Sequence, residues 1–100
     1  MKVNVNYPLP TVHLNGTSRG MLLDGYNKIL DAIYEVNDAS NECEFHSRDY
    51  YVEDDEAWPK ALEERQSHLN NLHAFKQHIL EHLMHLHGGV TNQNRKKTNA

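Results

Sequence analysis

The sequence contains little cysteine and no long apolar run, and each shortage excludes a class of protein. Cys43 is the single cysteine, so an internal disulfide is excluded and we expect a reducing, cytoplasmic setting. No apolar run approaches the roughly 18 residues of a membrane span, so we expect no membrane partner. No apolar leader follows Met1 and Lys2, so we expect no export.

Length and composition limit what one chain can build. One hundred residues is the size of a single domain, which excludes a multidomain enzyme. Apolar residues make up 38% of the chain, below the roughly 45–50% of an ordinary globular protein. Because surface dominates volume at this length, a monomer of this composition would bury only a thin core.

Charge is unevenly distributed along the chain. The net charge is −4, but residues 91–100 carry +3 without any acid, which leaves −7 on residues 1–90. A phosphate backbone repels so acidic a body, so a nucleic-acid polymer is not an expected partner. We interpret residues 89–100 as a disordered basic tail.

The first sixteen residues have no helical periodicity. Val3, Val5 and Tyr7 alternate with polar residues, which predicts one short edge strand, and the prolines that follow force an extended path. A lone strand is not stable in water. Residues 1–16 are therefore predicted to be an extended arm that lies on the helices or on a neighbouring chain.

Two helices are predicted after the arm, over residues 17–40 and 56–87, with a loop over 41–55. Thr17 or Ser18 would cap the first helix. Apolar residues of that helix cover an arc of about 160°, wider than the stripe that faces one partner. We therefore expect the first helix to contact two neighbours.

The two helices, about 36 and 50 Å long, cannot enclose a core between themselves. We predict a mainly α fold, in which residues 17–88 form a long antiparallel helical hairpin that assembles into a homo-oligomer. The alternative is a monomer whose N-terminal arm folds back on the hairpin.

Two cations fall on the apolar face of the second helix. The spacing of its apolar residues places Arg65 and Lys76 within that stripe. An unpaired buried cation is costly, so either an anion neutralises it or its stem lies on the core while the charge reaches water. For Lys76 we favour the second interpretation. For Arg65 both stay open, because guanidinium is well suited to bidentate binding of anions.

Two polar segments contain groups that bind anions. His13 precedes a turn into the first helix, where Thr17, Ser18 and Arg19 would offer hydroxyls, a cation and free N–H groups to a phosphate. The alternative is a capped helix with a surface arginine.

The predicted loop is the second segment. Arg48 could bind a phosphate there, and Tyr50 or Tyr51 could stack a base. Alternatively, the aromatic residues of the loop simply anchor it to the helices.

Histidines offer the one candidate metal site. His78, His82 and His85 share a helix face, and an i, i+4 pair can chelate zinc or nickel. No fixed further ligand is evident, so we interpret them as a solvent-exposed flank and predict neither metal nor cofactor. No convincing catalytic arrangement is present, and we do not expect an enzyme.

The order of two motifs resembles that of a known family. H-L-N-G-T-S at residues 13–18 precedes an amphipathic helix, R-D-Y-Y at residues 48–51 and a long helix. Over about residues 11–86 the chain resembles a family of small uncharacterised phage and prophage proteins. It differs in having His46-Ser47 where the family has N-G. By build, the family is similar to phage sponge proteins, which sequester immune-signalling nucleotides.

This resemblance implies a cytoplasmic anti-defence protein of a bacterial host. The leading hypothesis is therefore a non-catalytic oligomer that sequesters a small nucleotide. The proposed ligand residues are His13, Thr17, Ser18, Arg19, Arg48, Tyr50, Tyr51 and Arg65. The alternatives are an adaptor or inhibitor that acts on a host protein and, third, a metal-dependent nucleotide hydrolase.

Overall fold

Two helices dominate the computed structural model, which describes residues 4–89. Helix α1 spans Arg19–Glu42 and helix α2 spans Ala57–Met84, with a short 3-10 helix, Ser47–Asp49, in the connection. A π-helical turn, His85–Gly89, follows α2. The prediction of a mainly α chain with two helices is confirmed. Within residues 4–89, no helix is long and apolar enough to span a membrane.

Helix α1 begins and ends where its backbone groups find partners. Ser18 has extended dihedral angles, and its Oγ accepts a hydrogen bond from the Met21 amide over 3.2 Å. At the other end, the Cys43 amide donates to the Ala39 carbonyl over 3.0 Å. Of the two predicted caps, the structure selects Ser18. The helix therefore lies two residues later than predicted.

Helix α2 starts one residue later than predicted, after a local turn. The Glu56 amide donates to Asp54 Oδ1 over 2.8 Å, and no side chain caps the helix itself. Pro59 occupies the first turn, where its missing N–H has no intrahelical partner to lose. The α-helix ends at Met84, three residues before the predicted end, because the backbone continues as the π-helical turn.

Contacts between the helices join the start of one to the end of the other. Tyr26, early in α1, lies against His82, late in α2, with ring centroids 4.8 Å apart. Ser40, late in α1, accepts a hydrogen bond from Arg65, early in α2. Between them lies the apolar core, whose members are Leu23, Tyr26, Ile29, Leu30, Ile33, Leu72, Ile79 and Leu83.

The core is thin. Among the described residues, the buried apolar side chains are Ile33, Ile79, Leu83 and Leu86, and three of the four belong to the last part of α2 and its π-helical turn. The molecule measures 63 × 23 × 20 Å, so its width is that of one layer of paired helices. Large apolar side chains also remain exposed, namely Leu14, Met21, Tyr34, Val36, Tyr51, Val52, Leu62, Phe75 and Met84.

Residues 4–16 contain no strand, so the prediction of a short edge strand in the arm is wrong for these residues. Instead of pairing with a strand, Tyr7 packs on α2, and the Pro10 carbonyl accepts a hydrogen bond from His85. The arm therefore lies on the helices of its own chain. Val3 and the predicted basic tail from residue 90 onward lie outside the described residues.

Candidate functional site

Aromatic rings and imidazoles gather where the N-terminal arm meets the end of α2. The Tyr7 ring stacks on His82 with centroids 5.9 Å apart, and it lies 4.8 Å from the His78 ring. Tyr26 of α1 contacts the same His82 ring. We call this group the arm cluster, and its members are Tyr7, Tyr26, His78, Glu81, His82 and His85.

Tyr7 is fixed by a hydrogen bond as well as by stacking. Its hydroxyl donates to Glu81 Oε1 over 2.5 Å. This hydrogen bond, then burial and then the negative charge of Glu81 raise the pKa of Tyr7 from 10.0 to about 12. The phenol therefore keeps its proton, and the arm keeps its hydrogen bond, across the neutral range.

Two imidazoles of the arm cluster donate hydrogen bonds to backbone carbonyls. His82 Nδ1 donates to the His78 carbonyl over 2.9 Å, and His85 Nε2 donates to the Pro10 carbonyl over 2.7 Å. Within the part of the chain that the structure describes, no three His, Cys, Asp or Glu side chains form a group that could hold a metal ion. His82 and His85 are thus each engaged by a backbone carbonyl.

The interpretation of these histidines as a solvent-exposed flank is wrong for His82. Its side chain is only 6% exposed, because the rings of Tyr7 and Tyr26 lie against it. A helical pattern of residues 57–84 alone could not show this, since Tyr7 comes from the arm.

A second group of aromatic residues lies where the connection meets the start of α2. Phe45 and Trp58 have ring centroids 4.8 Å apart, and Tyr50 contacts both rings. The guanidinium carbon of Arg65 lies 4.6 Å from the Phe45 ring centroid. We call this group the loop cluster, and its members are Phe45, Tyr50, Trp58 and Arg65.

Arg65 has partners of its own within the chain. Its Nη2 donates to the Ser40 carbonyl over 2.7 Å, in addition to the contact with Phe45. Ser40 lies in the last turn of α1, where carbonyls lack intrahelical donors. Arg65 thus neutralises the negative end of the α1 dipole. The sequence analysis considered an anion as the partner of Arg65, but not a backbone carbonyl.

Lys76 has an aromatic neighbour. Its Nζ lies 5.5 Å from the Tyr34 ring centroid, and the residue is half-buried. Lys76 borders a cavity of about 10 Å³ between the helices, which is also lined by Ile33 and Leu72. That volume holds about one water molecule. This cavity therefore cannot hold a nucleotide.

The predicted ligand residues before α1 are exposed. Thr17, Ser18 and Arg19 are open to solvent, although the Ser18 hydroxyl is engaged as the cap of α1. His13 forms a turn in which its carbonyl accepts from the Gly16 amide over 3.1 Å. These residues are available to a partner, but nothing in the described chain encloses them.

The predicted ligand residues of the connection differ in exposure. Tyr51 is 69% exposed, and the Arg48 side chain is 68% exposed and lies 3.8 Å from Glu44 Oε1. Tyr50 is half-buried in the loop cluster. The tyrosines therefore divide into one anchoring residue and one free residue.

Helix α1 separates the two predicted groups of ligand residues. It has 24 residues, which corresponds to about 36 Å. Arg19 lies at its start, whereas Arg48 and Tyr51 follow its end. One small nucleotide cannot contact both groups within a single chain.

Sequence reasoning missed the contributions of Tyr7, Glu81 and Trp58. Tyr7 was assigned to a strand, and no role was assigned to Glu81 or Trp58. The four-residue spacing of His78 and His82 does indicate a shared face, but no local signal shows which rings cover that face.

The comparisons with known proteins give no relative. No family model, no curated protein and no solved structure matches this chain significantly.

Proposed function

We propose that this protein is a non-catalytic binding protein that works as a homo-oligomer of antiparallel helical hairpins. The observation that carries the proposal is the thin core beside large exposed apolar side chains, among them Val36 and Val52. Contiguous exposed apolar surface marks sites of interaction with other molecules. The hairpin arrangement is supported by the contacts of early α1 with late α2 and of late α1 with early α2.

The proposed ligand is a small nucleotide, which the protein sequesters without turnover. Support comes from exposed cations, Arg19 and Arg48, and from the exposed ring of Tyr51. Guanidinium groups bind phosphate, and aromatic rings stack on bases. The overall acidity of the body favours a small ligand over a polyanion. The resemblance to phage proteins makes a cyclic oligonucleotide or an ADP-ribose derivative the first choice.

The test is a calorimetric panel of cyclic diadenylate, a cyclic trinucleotide and ADP-ribose. Tight binding, followed by recovery of the intact nucleotide after heating, is the expected outcome. Recovery of hydrolysed products would instead establish an enzyme.

Variants locate the binding residues. Arg19→Ala and Arg48→Ala should each weaken binding about tenfold or more, because each removes a charge-assisted contact to phosphate. Lys60→Ala is the matched control, since Lys60 is an exposed cation that lies 3.7 Å from Glu56. Equal affinities of all three variants would contradict the assigned residues.

A second candidate function is that of an adaptor or inhibitor that docks on a host protein. It is favoured by the adjacent exposed side chains of Tyr51 and Val52, which are followed by an acidic run over residues 53–56. Such a patch suits a basic protein surface with an apolar centre. If no nucleotide in the panel binds, this function takes precedence.

A further inference from the structure

A second apolar stripe on α1 borders the core face of this helix, and within residues 4–89 most of its members are exposed. Its members recur every three or four positions, as in a coiled-coil seam. We call it the α1 stripe, and its members are Leu22, Gly25, Ile29, Ala32, Val36 and Ala39. Leu22 and Ile29 are half-buried, and Ile29 also packs against the core, whereas the other members are exposed. The stripe is turned by roughly 90° from the core face of α1, at about 100° per residue.

Gly25 has no explanation within the chain. Glycine inside a helix costs about 1 kcal/mol relative to alanine. A Cβ atom at Gly25 would meet nothing within 4 Å, so no close approach in the described chain requires glycine there. Another helix could approach α1 most closely where the side chains are small, at Gly25, Ala32 and Ala39.

The charges beside the stripe identify its occupant. We propose that the α1 stripe packs antiparallel against α1 of a second copy of this chain. With Ile29 facing Ala32 of the second copy, Lys28 of each copy lies beside Glu35 of the other. Both side chains are exposed, and neither forms an ion pair within the described chain. In parallel pairing, Lys28 and Glu35 would instead lie on the side of Tyr26 and Ile33 of the second copy, and these two residues pack in the core.

Antiparallel pairing also joins the two halves of the candidate site. The start of α1 in one copy lies beside the end of α1 in the other, so Arg19 approaches Arg48 of the second copy. The two-fold symmetry of such a dimer creates this juxtaposition twice. The pairing specifies the homo-oligomer of the proposed function and rests on it, and the binding of a nucleotide at the composite site rests on the ligand proposed there.

Molecular mass tests the pairing directly. Light scattering at micromolar concentration should give twice 11.6 kDa, and Ala32→Arg should reduce the mass to that of one chain with unchanged helical circular dichroism. Ala74→Arg, at an exposed position of α2, is the matched control and should remain dimeric. A monomeric wild type, or a dimeric Ala32→Arg variant, overturns the proposal.

Charge reversal tests the register. Lys28→Glu and Glu35→Lys should each weaken dimerisation roughly tenfold, since each replaces two attractive contacts with repulsive ones. The double variant should recover most of the affinity. The control exchanges Glu56 and Lys60, an i, i+4 ion pair at the start of α2, and should leave the mass unchanged. Failure of the double variant to recover affinity contradicts the proposed register.

Cross-linking tests the orientation. In antiparallel pairing, Cys43 lies near residue 17 or 18 of the second copy, so Thr17→Cys treated with a short bismaleimide should yield covalent dimers. Wild type and Ser67→Cys are the controls and should yield few. Efficient cross-linking of the wild type through Cys43 alone would contradict antiparallel pairing.

Mixing variants separates the pairing from the ligand. With ADP-ribose and cyclic diadenylate as probes, an equal mixture of Arg19→Ala and Arg48→Ala should recover about one quarter of the wild-type sites, because half of the dimers carry one intact site. A site within one chain would recover none. If neither probe binds the wild type, the proposed nucleotide function fails, while mass and cross-linking still decide the pairing.

Discussion

The two ends of the helix pair are held together by different physical means. At the end with the arm cluster, Ile79, Leu83 and His82 are buried, and the arm adds stacked rings. At the end with the loop cluster, the rings are only half-buried, and Arg65 joins them to the last turn of α1. Apolar burial thus concentrates at one end, whereas a cation and its aromatic partners secure the other. The loop end can therefore rearrange at lower cost.

The largest expected effect is that of a substitution at the end of the helix pair that contains the core. Ile79→Ala should lower the free energy of unfolding by about 2–5 kcal/mol, because it opens a cavity where the side chain is only 2% exposed. Leu62→Ala, at a position 44% exposed, is the matched control at the loop end and should cost under about 1 kcal/mol. Urea unfolding measures both. Equal costs would contradict the uneven distribution of stability.

The next effect concerns the loop end. Arg65→Ala removes a charged hydrogen bond and the contact with Phe45, so it should cost about 1–3 kcal/mol. Arg65→Lys keeps the charge but loses the planar contact, and it should recover only part of that loss. Lys60→Ala, which removes an exposed cation, should cost much less.

Trp58 allows the two ends to be observed separately. It is the single tryptophan of the chain and belongs to the loop cluster. Arg65→Ala should therefore change the tryptophan emission of the folded protein, whereas Ile79→Ala should leave it nearly unchanged. If tryptophan emission and circular dichroism follow different unfolding curves, the two ends unfold separately. Coincident curves would mean that the ends form one cooperative unit.

The features of the fold that could be predicted from the sequence are those that depend on residues close together in the chain. The Ser18 cap and the apolar spacing of both helices are local, and they located each helix start within two residues. The pairing of Tyr7 with Glu81 spans 74 positions, and no sequence period encodes it. The partner of Arg65 is a backbone carbonyl, which every residue possesses, so the residue types around Ser40 could not identify it.

The same reasoning explains the incomplete prediction of the site. Exposed residues such as Arg19 and Arg48 carry recognisable chemistry, but their separation follows from the straight path of α1 between them. Motif order gives no distance in space. The length of α1 does give a distance. It implies that the ligand residues before α1 and those after it need a second chain if they are to contact one nucleotide.

The smallest effect sharpens the description of the arm end, because it isolates one contact of the arm cluster. The raised pKa of Tyr7, about 12, means that between pH 10 and 12 the folded chain retains a proton that the unfolded chain has lost. This contribution to stability is therefore complete below pH 10 and disappears as the pH rises through 12. Glu81→Gln removes the charge and the strong acceptor, so the pKa of Tyr7 should move back toward 10.

Tyrosinate absorbance measures this shift, with Tyr7→Phe subtracted to isolate one phenol from the five tyrosines of the chain. Tyr51→Phe is the matched control, because Tyr51 is largely exposed and lies outside both clusters. An unchanged Tyr7 titration in Glu81→Gln would show that the hydrogen bond does not govern its proton. The arm would then be held by its ring contacts with His78 and His82 and by the hydrogen bond from His85 to the Pro10 carbonyl.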